Sequence, residues 1–186
     1  MGLTTIPTPA PPSPTKSFSL LNAGGTTMIG SSSITISGIS NMDDIYIFIN
    51  GWQSTSLSNQ VGLRINADTT NKYGFAGMGS YYQPGQNDNA SIPNLRNQAP
   101  NSNSYIGAGG GNGETYTQFT TSIRISGGAT SGVKMVQVIG GTSLYRGTAI
   151  TGMGQYTGTS TISSITLFSI TSSNFSNGTI YVYGAN

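Results

Sequence analysis

The chain has no cysteine and no histidine, and only 6% of its 186 residues are Asp, Glu, Lys or Arg. An ordinary soluble domain carries about 25% charged residues. The missing cysteines exclude a disulfide framework, a thiolate nucleophile and a cysteine-ligated metal. The missing histidines remove the side chain that most often moves protons near neutral pH. Seven scattered bases against five acids give a net charge of +2. No cluster of Lys or Arg forms a phosphate-tracking surface, so nucleic acid is not an expected partner. No apolar run reaches the roughly 18–20 residues that span a bilayer as a helix. The N-terminus lacks the positive-then-apolar pattern of a secretory leader. Neither a membrane partner nor a leader is expected.

What is abundant is Gly, Ser, Thr and Asn, which together supply half of the residues. Low charge separates this composition from a disordered chain, which usually combines low hydrophobicity with high net charge. Ile and Tyr recur throughout, and the length suits one domain with an appendage.

The appendage is residues 1–17, MGLTTIPTPAPPSPTKS, which hold five of the eight prolines. Pro7, Pro9, Pro11, Pro12 and Pro14 fix φ and remove backbone donors, so an extended, polyproline-II-like arm is expected. Such an arm has no core of its own and is ordered only by lying on something. Ile6 and the five prolines are therefore the candidate contacts, on the domain body or on a neighbouring chain.

From Phe18 to Asn186 the signal is β. Short alternating or β-branched runs cover Ser33–Ile36, Ile45–Asn50, Val61–Asn66, Thr115–Ile125, Val133–Ile139, Ala149–Tyr156, Ile162–Ile170 and Thr179–Tyr183. Thr115–Ile125 alternates as a strand with one core face, whereas Ile45–Ile49 is apolar on both parities, as a strand covered on both faces would be. Asn50-Gly51, Gly127-Gly128, Gly140-Gly141 and Asn177-Gly178 read as turns. No segment holds a 3.6-residue apolar period. These features predict an all-β fold, an antiparallel, jelly-roll-like β-sandwich over residues 18–186. Tyr81–Asn103, with three prolines, reads as a long surface loop. Ala76-Gly77-Met78-Gly79-Ser80-Tyr81 and Thr151-Gly152-Met153-Gly154-Gln155-Tyr156 echo each other.

The chemistry-bearing groups are sparse. Asp43 and Asp44 are adjacent before a strand, so they face opposite sides and read as a solvated turn. Asp88 lies among Asn residues without the ligand spacing of a calcium loop. Ser131-Gly132-Val133-Lys134 has the S-x-x-K spacing of a nucleophile motif that needs a helix, but it opens a strand. Gly109–Gly113 lacks the lysine and the strand-to-helix context of a phosphate loop. No cofactor or metal is expected, and no enzyme. Trp52, Tyr81 and Tyr82 are the candidates for an aromatic platform that would contact a glycan.

Three stretches carry a family likeness. They are Ile34–Ile39 leading into Ile45–Asn50, Leu63–Asn66 followed by Asp68 and Asn71-Lys72-Tyr73, and the closing Gly178–Gly184. In these the chain resembles small β-sandwich virion proteins of tailed bacteriophages. The resemblance implies a jelly-roll-like subunit, often trimeric, on a phage head or tail. Joined to the proline-rich arm, it implies a capsid decoration or cement subunit of the virion. Its partners would be sibling copies and the major capsid protein or other virion subunits, across which the arm would lie. The alternative implied is a tail-associated or fibre-tip module that binds a host glycan. The chain lacks the coiled-coil or repeat shaft of a stand-alone fibre.

Overall fold

A computed structural model of the chain describes residues 16–56, 60–81, 90–103, 105–110, 118–142 and 148–186. For residues 78–81, 90–103, 108–110, 142 and 148 it describes the backbone alone. Among the described residues there is no helix; thirteen strands form two packed antiparallel sheets. In chain order they are β1 (Ser19–Leu20), β2 (Thr26–Thr27), β3 (Ser33–Ser37), β4 (Asp44–Ser54), β5 (Gln60–Ile65), β6 (Tyr73–Tyr81) and β7 (Ala90–Asn103). Then follow β8 (Ile106–Gly110), β9 (Phe119–Ser126), β10 (Lys134–Thr142), β11 (Thr148–Tyr156), β12 (Ser164–Ser169) and β13 (Phe175–Ala185). The large sheet runs β1-β13-β4-β9-β10-β11-β6-β7, with β2 also on β13; the small sheet runs β3-β12-β5-β8.

Strand alternation builds the layer between the sheets. Ile45, Ile47 and Ile49 of β4, Ile123 and Ile125 of β9, Val136 and Val138 of β10, and Ile180 and Val182 of β13 are buried. Opposite them lie Ile34 and Ile36, Val61, Leu63 and Ile65, Ile165 and Leu167, and Ile106, all in one core cluster. Period-2 apolar residues on one face of each strand put these side chains on the same side, where burial contributes roughly 25 cal/mol per Å². Phe119, Thr121, Ile123 and Ile125 are buried as their alternation predicts.

Three of the four expected turns are not turns. Gly127-Gly128 joins β9 to β10, with Gly127 at φ 84°. Asn50-Gly51 instead forms a register shift within β4, and Asn177-Gly178 lies at another within β13. Gly51 (φ 61°) and Gly178 (φ 123°) supply the left-handed backbone of these bulges. Both flank Trp52, and a Cβ on Gly178 would stand 2.8 Å from the Trp52 Cα. Gly140-Gly141 continues β10, where a Cβ on Gly140 would press on Thr121.

The expected loop at Tyr81–Asn103 is also corrected. Tyr81 closes β6, and Ala90–Asn103 is a strand paired with β6 through repeated register shifts. As the last strand of the sheet, β7 can carry Pro93 and Pro100, because edge and bulge positions need not donate to a ladder.

The two echoing segments are neighbours: β6 and β11 pair, with Gly77 opposite Gly152. Their glycines make room for one ring. A Cβ on Gly77 would stand 2.9 Å from the Phe75 ring, and one on Gly154 would stand 3.1 Å from it. A Cβ on Gly152 would collide with the ring outright. Phe75 thus covers the glycine-lined strands as an aromatic side chain covers a glycine in a designed sheet. Gly152→Ala is expected to cost about 1–3 kcal/mol by overpacking. Combining it with Phe75→Leu should recover part of that loss. Urea unfolding of the two single variants and the double variant checks this, and strict additivity would contradict it.

Candidate functional site: an uncovered face of the large sheet

The faces of the sheets that point away from the shared core differ. On the small sheet, Thr35 and Thr166 pair through their hydroxyls at 2.9 Å. Arg64 lies 4.0 Å over the Phe168 ring, and Tyr105 meets that ring edge-on. The outer residues there cover one another.

The outer face of the large sheet presents cross-strand rows that are paired and polar near Asp44 and apolar and exposed further along. One row runs Leu20, Tyr183, Tyr46, Arg124, Gln137, Met153 and Ala76; the next runs Tyr181, Phe48, Ser122, Ile139 and Thr151. A third runs Ala185, Asp44, Ser126, Met135 and Gln155. Met135, Ile139 and Met153, all around Gln137, are 47%, 53% and 58% exposed. Phe18 and Leu20 are also exposed on this side of the chain's entry. Large apolar residues clustered on one face, rather than scattered singly, mark a contact surface. Ile45–Ile49 was expected to be covered on both faces; the face of Ile45, Ile47 and Ile49 is buried in the core, but Tyr46 and Phe48 on the other face are only half-buried.

At one end of this face lies a trough of about 780 Å³, walled by Phe18, Tyr46, Phe48 and Tyr183, with Lys16, Asp44 and Arg124 at its polar end. Asp44 organises that end and corrects the reading of a solvated turn. It is 6% exposed. Lys16 Nζ reaches its Oδ2 at 2.8 Å and Asp43 Oδ2 at 3.2 Å. Arg124 Nη2 and Ser126 Oγ both donate to its Oδ1, at 3.0 and 2.9 Å. The Lys16 hydrogen bond above all, then Ser126 and Arg124, hold the Asp44 carboxyl down to about 2 against the desolvation that would raise it. The Tyr46 hydroxyl donates to Ser122 Oγ at 2.9 Å. Asp44 is thus engaged on both oxygens, and Phe18, Tyr46, Phe48 and Tyr183 give the rest of the trough an aromatic wall.

The expected site residues fall apart. Ile6, Pro7, Pro9, Pro11, Pro12 and Pro14 lie outside the described residues, as does Tyr82. Tyr81 is described by its backbone alone, as the last residue of β6. Trp52 is a correction: it is 1% exposed. It stacks on Phe119 at 4.8 Å, meets Phe175 edge-on at 6.1 Å and approaches Thr121 Oγ1 through Nε1 at 3.4 Å. A ring so enclosed offers no face to a sugar. Lys134, the last residue of the S-x-x-K match, begins β10; its Nζ donates to the carbonyls of Thr130 and Gly132 and so ties the preceding turn. Asp88 lies outside the described residues.

Asp68 is a second polar centre that residue spacing does not reveal. It accepts from Tyr156 OH at 2.8 Å, from Lys72 Nζ at 3.1 Å and from the Thr70 backbone N–H at 2.8 Å. Burial would raise its carboxyl; Thr70, Tyr156 and Lys72 outweigh that and hold it well below the usual range. Tyr73, beside Tyr156, donates to the Asp68 carbonyl at 3.0 Å and accepts from the Ile65 N–H, also at 3.0 Å. The cluster pins the β5–β6 turn, where Asn66 and Ala67 both have positive φ. Among the described residues, no three His, Cys, Asp or Glu side chains gather as a metal site would require.

The chain matches no protein-family model and no curated protein.

Asp44 gives a pH prediction. Its folded value lies below its unfolded value of 3.8, so the folded state binds fewer protons there. The resulting stability is complete above 3.8 and is lost as pH falls towards 2. Asp44→Asn should be less stable than the natural chain near neutrality, and the gap should narrow across that window. Urea midpoints measured from pH 5 to pH 2 check this; a gap constant with pH would contradict it.

Proposed function

We propose that this chain is a structural subunit of a tailed-bacteriophage virion, of the capsid decoration or cement type, and that it works by contact rather than by catalysis. One observation carries the reading: the large sheet turns an apolar, charge-poor face to the outside, and the root of the proline-rich arm is fastened at its rim. A monomer gains nothing from Met135, Ile139 and Met153 in water. A subunit among siblings and shell proteins gains their burial. The likeness of the strands from Ser33 onward to small virion sandwiches supports the same reading, with a jelly-roll ancestry and a trimer as its finer terms. In this account residues 1–17 clasp neighbouring virion subunits, the major capsid protein among them.

The arm suits that work. Its prolines restrict the free chain, so docking costs less conformational entropy than for a flexible tail. Several arms on one assembly add avidity without strong single contacts. The glycan-binding alternative loses Trp52 to the core.

The test is reconstitution. Shells stripped of this chain should take it back, and a chain lacking residues 1–17 should bind with an apparent affinity lower by about 10²-fold or more. Quantitative gel analysis of sedimented shells gives the occupancy. Equal occupancy by the two chains would refute the arm mechanism.

A further inference from the structure

We propose that the trough of Tyr46, Phe48 and Tyr183, together with the methionine patch beyond it, seats residues 1–15 of a second copy of this chain. The inference rests on the reading of a subunit that clasps its neighbours, and adds which neighbour and which face.

The chemistry of the trough selects the occupant. Its walls are aromatic faces, while Asp44 is engaged by Lys16, Arg124 and Ser126, and the Tyr46 hydroxyl by Ser122. A ligand rich in hydroxyls needs many hydrogen-bond partners, and the one carboxylate there is already taken. A proline-rich strand needs few: its rings are flat and apolar, five of its residues bring no N–H, and its extended form is set before binding. Aromatic-lined grooves recognise polyproline-II segments on these terms. Residues 1–15, MGLTTIPTPAPPSPT, supply five prolines and not one charged side chain.

Length agrees. Fifteen residues at ~3.1 Å each reach about 45 Å in a polyproline-II helix. From β13 across β4, β9 and β10 to β11 is four strand spacings, roughly 20 Å at ~4.8 Å each. One arm therefore suffices to fill the trough and cross the patch of Met135, Ile139 and Met153.

Direction decides for a second copy over the arm's own domain. β1 pairs antiparallel with β13, Ser19 opposite Gly184, so from Ser19 back to Lys16 the chain runs towards the C-terminal end of β13. There Lys16 is fastened to Asp43 and Asp44, where β4 begins. To cross its own face the arm would have to turn sharply across the strands within Thr15 and Lys16, because Pro11, Pro12 and Pro14 hold themselves and the residues before them extended. A stiff segment leaving the rim continues outward, onto a neighbour.

The absence of cysteine allows a clean test on the full chain. Thr8→Cys in the arm and Gln137→Cys on the face are combined, and equal amounts of isotope-labelled and unlabelled protein are mixed and cross-linked with a short bis-maleimide. The expected product joins position 8 of one chain to position 137 of another, with half of these links between labelled and unlabelled copies. Links within a single chain, links between two 137 positions alone, or no links would each overturn the inference. A full chain with all five arm prolines changed to Gly leaves the sheets untouched. It should self-associate at least about tenfold more weakly by analytical ultracentrifugation, and unchanged association would also overturn it. Shell binding is read separately: shells that still take up a chain failing both tests would leave the virion reading standing and remove this inference alone.

Discussion

A four-stranded sheet can cover only one face of a larger one. That disproportion governs the molecule. The isoleucines and valines of β4, β9, β10 and β13 that face the small sheet are sealed between the layers. The residues alternating with them include the apolar or aromatic Tyr46, Phe48, Met135, Ile139 and Tyr183, and among the described residues no third layer lies over them. On β4 and β10 those outer positions are largely apolar, whereas β9 sets Ser122, Arg124 and Ser126 among them; under the proposed function a second partner covers the apolar part.

The remaining features hold that sheet in place. Phe75 lies across the glycines of β6 and β11, giving an apolar inner surface to strands whose inner positions are largely glycine. The bulges at Gly51 and Gly178 open the room in which Trp52 packs against Phe119 and Phe175. Asp44 ties two strands and the arm's root together, because Lys16 reaches it from before β1, and Arg124 and Ser126 reach it from β9. Lys16 and Arg124 are substantially exposed, so their ion pairs contribute modestly to stability. Their larger effect is geometric: they fix where the arm departs.

The strand content was legible because alternation is a local signal, and each run from Ser33–Ile36 to Thr179–Tyr183 lies within or overlaps a strand. Glycine misled the reading in both directions. Asn50-Gly51 and Asn177-Gly178 look like hairpin turns in sequence, yet a bulge uses the same positive φ, and only the pairing partner tells the two apart. Pro93 and Pro100 hid β7, since a proline at an edge costs no ladder bond and gives no sign of that in sequence. The uncovered face was partly visible in Ile45–Ile49, apolar on both parities. Which parity stays outside depends on the small sheet, and strand order is not written in any one strand. The Asp44 hub was invisible for the same reason: Lys16, Arg124 and Ser126 come from 28, 80 and 82 residues away.

The methionines allow the most direct measurement. Met135 and Met153 stand on the open face, and Met28 is fully buried in the core, so peroxide oxidation followed by mass spectrometry reads face and core in one experiment on the unmodified chain. If the face exists to be covered by another copy, Met135 and Met153 will oxidise at the rate of free methionine in dilute solution and become protected as concentration rises, while Met28 stays slow throughout. Rates at Met135 and Met153 that remain fast at every concentration, in a protein whose Met28 stays slow, would contradict the account.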